Sequence, residues 1–339
     1  MLYRVCRWIR LHAVSRSRAM KALLVACCVL AGACAGDDPV QSEEGDTIIV
    51  SGASGQLGGL VVERLLALGV SPKNLILVSR TPDRLQRYRM LGASTRFGDF
   101  AEPESLAGAY AGGDRMLLIS IGGSGGQRPA LHRNAIDAAV AAGVKHIAYT
   151  SYVNADRYES SSLAVDHRLT EEFLRASGVA WTMLRNQIYA NGVVDQAVEA
   201  IESGRIVTHL PDARVAYVTR EDCAAAAAAV LATPGHENKA YNITGPELIG
   251  PAEIAALSSE ISGTDVKLEV LDEDAYVRYL RSTGLPDGAV RGSLSFAAEL
   301  DSEYLREVSS AVRVLTGRAP TSVRELLLAN RARLLSAAP

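Results

Sequence analysis

Past residue 34 this chain has a single cysteine. Cys6, Cys27, Cys28 and Cys34 all precede that point, and only Cys223 follows. One thiol excludes a disulfide framework. The 6 histidines are scattered without ligand spacing, so no metal-binding motif is present. Aromatics are scarce, at 5% of residues, with 4 Phe and 2 Trp. A ring-shaped ligand therefore has few stacking partners besides tyrosine. A basic excess is missing too: the net charge is −3. Residues 1–33 hold Arg4, Arg7, Arg10, Arg16, Arg18 and Lys21 and no acid, which leaves 29 of the 35 basic residues against all 38 acidic ones in the rest. That acidic body argues against nucleic acid as a partner. The apolar run ALLVACCVLAGA, residues 22–33, is too short to cross a bilayer comfortably. No internal repeat is evident.

What is present is a glycine-rich turn. TIIVSGASGQLGGLVVERLL, residues 47–66, reads as a buried strand, a tight turn and an amphipathic helix. Gly52, Gly55 and Gly58 are spaced G-x-x-G-x-x-G. Such a turn lets backbone approach a pyrophosphate while the helix N-terminus aims unpaired N–H groups at the anion. The next unit, NLILVSRTPDRL (74–85), is a second buried strand ending at Ser79-Arg80. An NAD site places an acid there for the ribose 2′-hydroxyl, and an NADP site a cation for the 2′-phosphate. Arg80 occupies the position, Arg84 follows one turn later, and no acid lies at the strand end, so NADPH is the expected cofactor.

Strands and helices then alternate to about residue 185: STRFGDF (94–100), RMLLISI (115–121), HIAYTS (146–151) and VAWTMLR (179–185), separated by the helical HRNAIDAAVAAG (132–143) and DHRLTEEFLRASG (166–178). This rhythm predicts an α/β fold, a Rossmann-type doubly wound parallel sheet with its ligand crevice at the strand carboxyl ends. EDCAAAAAAVLATPG (221–235) is an alanine-rich helix, and ARVAYVTR (213–220) and KAYNITG (239–245) read as short strands returning to the sheet. From about 249 helical patterns dominate and predict a small, mainly helical C-terminal lobe. The expected organisation is leader 1–33, polar tether 34–46, nucleotide-binding domain 47–190 with 213–245 returning to it, and a C-terminal lobe over 246–339.

The leader has three readings. Its basic stretch and apolar run match a signal peptide, and LAGAC (30–34) resembles a bacterial lipobox, which implies lipidation of Cys34 and a periplasmic membrane anchor. Within that reading Met20 is a candidate start, since MKALLVACC is a conventional signal-peptide opening. A cytoplasmic enzyme with a misassigned start is the second. An Arg-rich, acid-free transit peptide is the third. Export conflicts with an NADPH site, because NADPH is scarce outside the cytoplasm and no clear twin-arginine signal is present.

GASGQLGG, LILVSRTP, GDF, GQRPALHRNAIDAAVAAGVKHIAYTS, HRLTEEFLRASGVAWTMLRN and VTREDCAAAAAAVL occur in this order. Over residues 47–335 the chain resembles the NmrA-like atypical short-chain dehydrogenases, nearest the type 2 NADPH:quinone oxidoreductases and the related triphenylmethane reductases. The resemblance implies a reductase passing hydride from NADPH to a quinone-like or conjugated acceptor. It places the phosphate loop on Gly52, Ser54, Gly55, Gln56, Leu57 and Gly58, the 2′-phosphate contact on Arg80 and the adenine-side turn on Asp99 and Phe100. Ile121, Gly122 and Gly123 run past the nicotinamide ribose. Thr150, Ser151 and Tyr152 sit at the nicotinamide, and Asn186 and Tyr189 line the acceptor pocket.

The Tyr-x-x-x-Lys pair of the wider short-chain dehydrogenases is absent: its helix positions hold Leu163 and His167. Ser151, Tyr152, His167 and Asn186 are the candidate catalytic residues, with Tyr152 more a pocket wall than an acid. Quinones and cationic dyes accept hydride readily, so proximity supplies much of the rate. Arg185 reads as an ion-pair partner, Arg128 and His132 as caps near the cleft, and Tyr276 as a further stacking surface. The alternatives are a non-catalytic NADP-binding sensor that holds a partner protein, and an exported Rossmann-fold lipoprotein binding another ligand. Oligomeric state and physiological acceptor are not legible.

Overall fold

The computed structural model describes residues 45–122, 126–157 and 162–338. The leader, Cys34 and Gly123 lie outside them. The strands form where β-branched and aliphatic runs demand burial on both faces. β1 (Ile48–Ser51) and β2 (Leu75–Ser79) are buried at every position. β3 (Ser94–Phe97) is half-exposed, while β4 (Arg115–Leu118) and β5 (His146–Tyr152) are again fully buried. With β6 (Ala180–Asn186) and β8 (Lys239–Ile243) they make a seven-stranded sheet in the order β3-β2-β1-β4-β5-β6-β8. Every ladder is parallel. Burial from both sides is what a parallel sheet requires of its sequence. The order reverses between β1 and β4, where an open sheet of this kind has its crevice.

On one face, α1 (Gln56–Ala67) packs with α7 (Arg220–Ala232) through Val61, Leu65, Ala224 and Ala227. The alanines of α7 permit close approach. The Thr219 side chain caps its N-terminus by accepting from Asp222 N–H at 3.1 Å. Arg115 Nη2 closes its other end, donating to the carbonyls of Val230 and Thr233 at 2.8 and 2.9 Å. On the opposite face α3 (Pro103–Tyr110), α4 (Arg128–Ala141) and α5 (Ser162–Ala176) cover β4 and β5 through Leu106, Ile136 and Leu174. The short α2 (Gln86–Met90) links β2 to β3.

A further core joins α6 (Asn191–Ser203) to α8 (Pro251–Ser262), α12 (Val323–Ala329) and α13 (Arg331–Ser336). β7 (Arg205–Thr208) and β9 (Lys267–Val270) form a two-stranded parallel sheet beside it. These strands are absent from the sequence reading, because four half-exposed residues carry too little alternation to register. α9 (Glu273–Ser282), α10 (Asp287–Leu300) and α11 (Ala311–Thr316) complete the helical C-terminal region.

The expected strand at 213–220 is corrected. The segment is extended, but Val215 bridges Ile249 antiparallel and Val218 bridges Tyr189 in parallel, so no continuous ladder forms. Its two partners run in opposite senses. Among the described residues no helix is long and apolar enough to cross a membrane.

Candidate active site

Gly52 directly follows β1 and sits at φ +93°, in the left-handed region that a side chain resists. Gly58, in the first turn of α1, would place a Cβ 2.3 Å from the Gly52 carbonyl oxygen and 2.8 Å from Ala53 Cα. Only a residue without a side chain lets the helix meet the turn so closely. The first turn of α1 holds no acid and its N-cap Gly55 supplies no side-chain cap. The opening N–H groups of the helix are therefore presented outward, where an anion is stabilised. Gln56 is exposed, but the Leu57 side chain is buried in the core, so at that position the backbone alone serves a ligand.

The end of β2 adds a cluster of hydroxyls. Ser54 Oγ lies 2.6 Å from Ser79 Oγ and 3.3 Å from Thr81 Oγ1, and Thr81 N–H donates to Ser79 Oγ at 2.9 Å. Arg80 stands exposed beside them and, among the described residues, makes no hydrogen bond or ion pair. A guanidinium with these hydroxyls beside it has the chemistry to receive a phosphate. Ser79 and Thr81 flank Arg80 in the sequence, and their hydroxyl character was the signal for them. At the end of β3, Asp99 is spent locally: its carboxylate accepts from Ala101 N–H at 3.0 Å. Phe100 is buried against the His132 ring, with centroids 6.3 Å apart.

The segment after β4 is held from below. Ser120 N–H donates to Thr150 Oγ1 at 2.8 Å, and Ile121 N–H to His132 Nε2 at 3.1 Å. His132 reaches Thr170 Oγ1 at 3.0 Å and Tyr149 Oη at 3.3 Å, and Tyr149 Oη lies 2.7 Å from His167 Nδ1. Burial pushes the His132 imidazole down to about 3 and the His167 imidazole well below its ordinary value, with Arg128 adding to both. Both rings are neutral at neutral pH. His132 Nε2 accepts from the loop, and a neutral His167 lacks the acidic second ring proton that an imidazolium would give to an acceptor. His167 is instead a buried wall, its ring stacked on Tyr152 at 6.0 Å. Gly122 is exposed, and the Cβ it lacks would meet nothing.

Strand alternation separates the residues at the end of β5. Thr150 turns to Ser120 on β4's side, whereas Ser151 Oγ donates to Glu171 Oε1 at 2.7 Å. Glu171 is fully buried and also receives Arg185 through two nitrogens at 2.9 and 2.7 Å and Arg175 at 2.9 Å. Arg185 in turn donates to Asp156 at 2.9 Å. This network holds α5 against β5 and β6, and it ties Ser151 to structure. Tyr152 Oη donates to Glu299 Oε1 on α10 at 2.9 Å.

At the end of β6, Asn186 Oδ1 is buried with no hydrogen-bond partner among the described residues, while its Nδ2 lies 3.4 Å from Tyr189 Oη. Tyr189 borders a cavity of about 370 Å³ between α6, α8, α9 and α10. Tyr217, Tyr276 and Phe296 add three rings, and Val193 and Ile254 supply aliphatic wall. Tyr217 and Phe296 were not anticipated, because neither lies in a motif.

Gly52, Ser79, Asp99, Ser120, Tyr152 and Asn186 lie at or just beyond the carboxyl ends of six neighbouring parallel strands and so share one edge of the sheet. The geometry fits a dinucleotide: a glycine-rich turn that leaves helix N–H groups open, an exposed guanidinium without a partner among the described residues at the end of β2, and a buried amide oxygen at the end of β6. A family model described as NAD(P)H-binding matches residues 52–234. Quinone oxidoreductase 2 of Escherichia coli is 39% identical over 241 residues, covering 71% of this chain and 83% of that protein. The crystal structure of an Escherichia coli NADPH-dependent quinone oxidoreductase complexed with NADPH superposes with a TM-score of 0.78 at 35% identity, over 84% of this chain and 99% of the other. The Citrobacter sp. triphenylmethane reductase complexed with NADP(H) gives 0.77 at 33% identity, over 84% and 99%.

Proposed function

This chain belongs to the NAD(P)H-binding, NmrA-like reductases, and from that membership we propose that it is an NADPH-dependent reductase of quinone-like acceptors. The observation that carries the cofactor choice is Arg80, exposed and uncommitted beside Ser79 and Thr81 at the end of β2. Gly52 to Gly58 would hold the pyrophosphate through backbone N–H groups, and Arg80 the 2′-phosphate. NADPH supplies the hydride. Ser120 and Ile121, braced by Thr150 and His132, shape the ribose-side wall, and Asn186 Oδ1 has an open acceptor for an amide N–H. The protein's contribution is then to hold donor and acceptor in register and to exclude water between them. No tyrosine–lysine acid is needed for an acceptor that takes hydride readily.

The test is direct. NADPH and NADH are titrated against the protein, and NADPH oxidation is followed with a panel of benzoquinones and naphthoquinones. Tight NADPH binding with no turnover across the panel would remove the reductase reading and leave a nucleotide-binding sensor.

The leader supports a separate proposal: LAGAC at 30–34 directs lipid attachment to Cys34, and residues 36–46 serve as a tether. Mass spectrometry of the N-terminus from the native host tests it. An intact chain ahead of Cys34 removes the anchor.

A further inference from the structure

The extended segment 213–218 fixes the direction of one phenol. Ala213, Val215 and Tyr217 alternate onto the cavity, while Ala216 and Val218 turn away from it. The backbone around Tyr217 is clamped from several sides. Val218 N–H donates to Ile188 at 3.1 Å, and Val218 accepts from Ala190 at 2.8 Å. Gly245 N–H donates to Ala216 at 2.9 Å, Ala216 N–H to Leu305 at 3.4 Å, and Val215 exchanges two bonds with Ile249 at 3.1 and 2.9 Å. Gly245 comes so close that a Cβ there would stand 1.9 Å from the Tyr217 carbonyl oxygen. So rigid a mount fixes where the Tyr217 ring points.

The ring is 9% exposed, yet its hydroxyl has no hydrogen-bond partner among the described residues. The residue lines the cavity, so this hydroxyl is available to donate to a ligand oxygen that enters there. Burial raises the phenol to about 12, so it keeps its proton at every physiological pH. No charged side chain among the described residues lines the cavity. Its other ring walls are Tyr189, Tyr276 and Phe296. A neutral, flat molecule with a carbonyl oxygen matches these walls, and nothing in them offsets a cationic or sulfonated ring.

We propose that Tyr217 Oη is the hydrogen-bond donor that receives the carbonyl oxygen of a neutral, bicyclic quinone in this cavity. The proposal rests on the reductase reading for its chemistry but not for its geometry. Reducing a quinone takes one hydride, which NADPH supplies, and one proton, which comes from water. The electron pair that enters the ring leaves negative charge on the oxygen until that proton arrives. Tyr217 stabilises this oxyanion and gives up no proton of its own. This is the role of an oxyanion donor, at a position unrelated to the missing tyrosine–lysine pair.

The test is Tyr217→Phe, which removes an oxygen that no described residue bonds. Calorimetry without NADPH compares menadione with 2-methylnaphthalene, which has the same ring frame and no carbonyl. Menadione affinity falls about fivefold, the loss of one hydrogen bond. The naphthalene affinity stays level. kcat/KM for menadione falls about ten- to a hundredfold, and NADPH affinity is unchanged. Equal menadione affinity in both proteins, or a parallel loss for both compounds, overturns the assignment. Wild-type protein that reduces no quinone, yet binds menadione through Tyr217, brings down the reductase reading and upholds the binding role.

Discussion

Ser151 Oγ donates to Glu171 Oε1 across 2.7 Å, and Glu171 is fully buried. The pair separates structure from chemistry at the end of β5. Ser151 sits beside Thr150 in sequence, but the strand turns its hydroxyl to the opposite face and into the Arg185–Glu171 network. Ser151→Ala therefore leaves turnover within about threefold of wild type while stability falls by about 1–2 kcal/mol. Steady-state kinetics and urea unfolding on the same preparation check this. A loss of about a hundredfold in kcat at unchanged stability would return Ser151 to the reacting centre.

Arg80→Ala removes the uncommitted guanidinium at the ribose position. NADPH affinity falls about 10- to 100-fold, the scale of a charge-assisted hydrogen bond, and NADH affinity barely moves. Fluorescence titration of both nucleotides decides it. An equal loss for both means that Arg80 does not read the 2′-phosphate.

Gly58→Ala forces a methyl group within 2.3 Å of the Gly52 carbonyl oxygen. The neighbour is backbone, so the turn must shift. Stability drops by about 1–3 kcal/mol, and NADPH binding is lost with the turn geometry. A variant with native melting temperature and native NADPH affinity would show that the helix does not need this close approach.

Tyr152→Phe cuts the 2.9 Å bond to Glu299. Phe296, Ala297 and Leu300 of α10 line the cavity, so loosening the helix loosens one wall. KM for a quinone rises about fivefold, the scale of one lost hydrogen bond, while NADPH affinity holds. A fall in kcat with KM unchanged would instead put Tyr152 at the reacting atoms.

Acid sensitivity is built in at the amino end of β5. Burial and then the neighbouring Arg115 lower His146 from 6.5 to about 4. A histidine whose folded pKa is depressed binds fewer protons folded than unfolded. Its contribution to stability is therefore complete above pH 6.5. It is lost as pH falls from there toward 4, on the order of 3 kcal/mol, and levels off below. His132, lowered to about 3, extends the loss further down. Urea midpoints at stepped pH measure the slope, and His146→Gln flattens its upper part. An unchanged slope in that variant assigns the acid transition elsewhere.

Much of the sheet was legible because it is a repetition. Each buried run such as LILVS, followed by a helix with a stop glycine, forces a parallel strand and a return. The tight turn between β1 and α1 was legible because glycine spacing encodes backbone approach directly. β7 and β9 were not, since RIVT and KLEV are short and half-exposed. The segment 213–220 looked like a strand because its side chains alternate. Alternation reports an extended backbone with distinct faces, and it does not report whether one continuous partner runs alongside. Ser151 and His167 were named beside Tyr152 on position alone, and position along the chain does not show which face a strand or helix turns inward.

Read alone, the residues determined the strands of the main sheet, the glycine turn after the first of them and the arginine after the second. Those depend on local conformation and on burial patterns, which neighbouring residues carry. Only the tertiary structure decided what each polar group is spent on. It committed Ser151 to Glu171, neutralised His132 and His167 by burial, and left Asn186 Oδ1, the Tyr217 hydroxyl and Arg80 without partners among the described residues. Hydrogen-bond satisfaction and desolvation are set by groups far apart in the chain, and no local pattern holds that information.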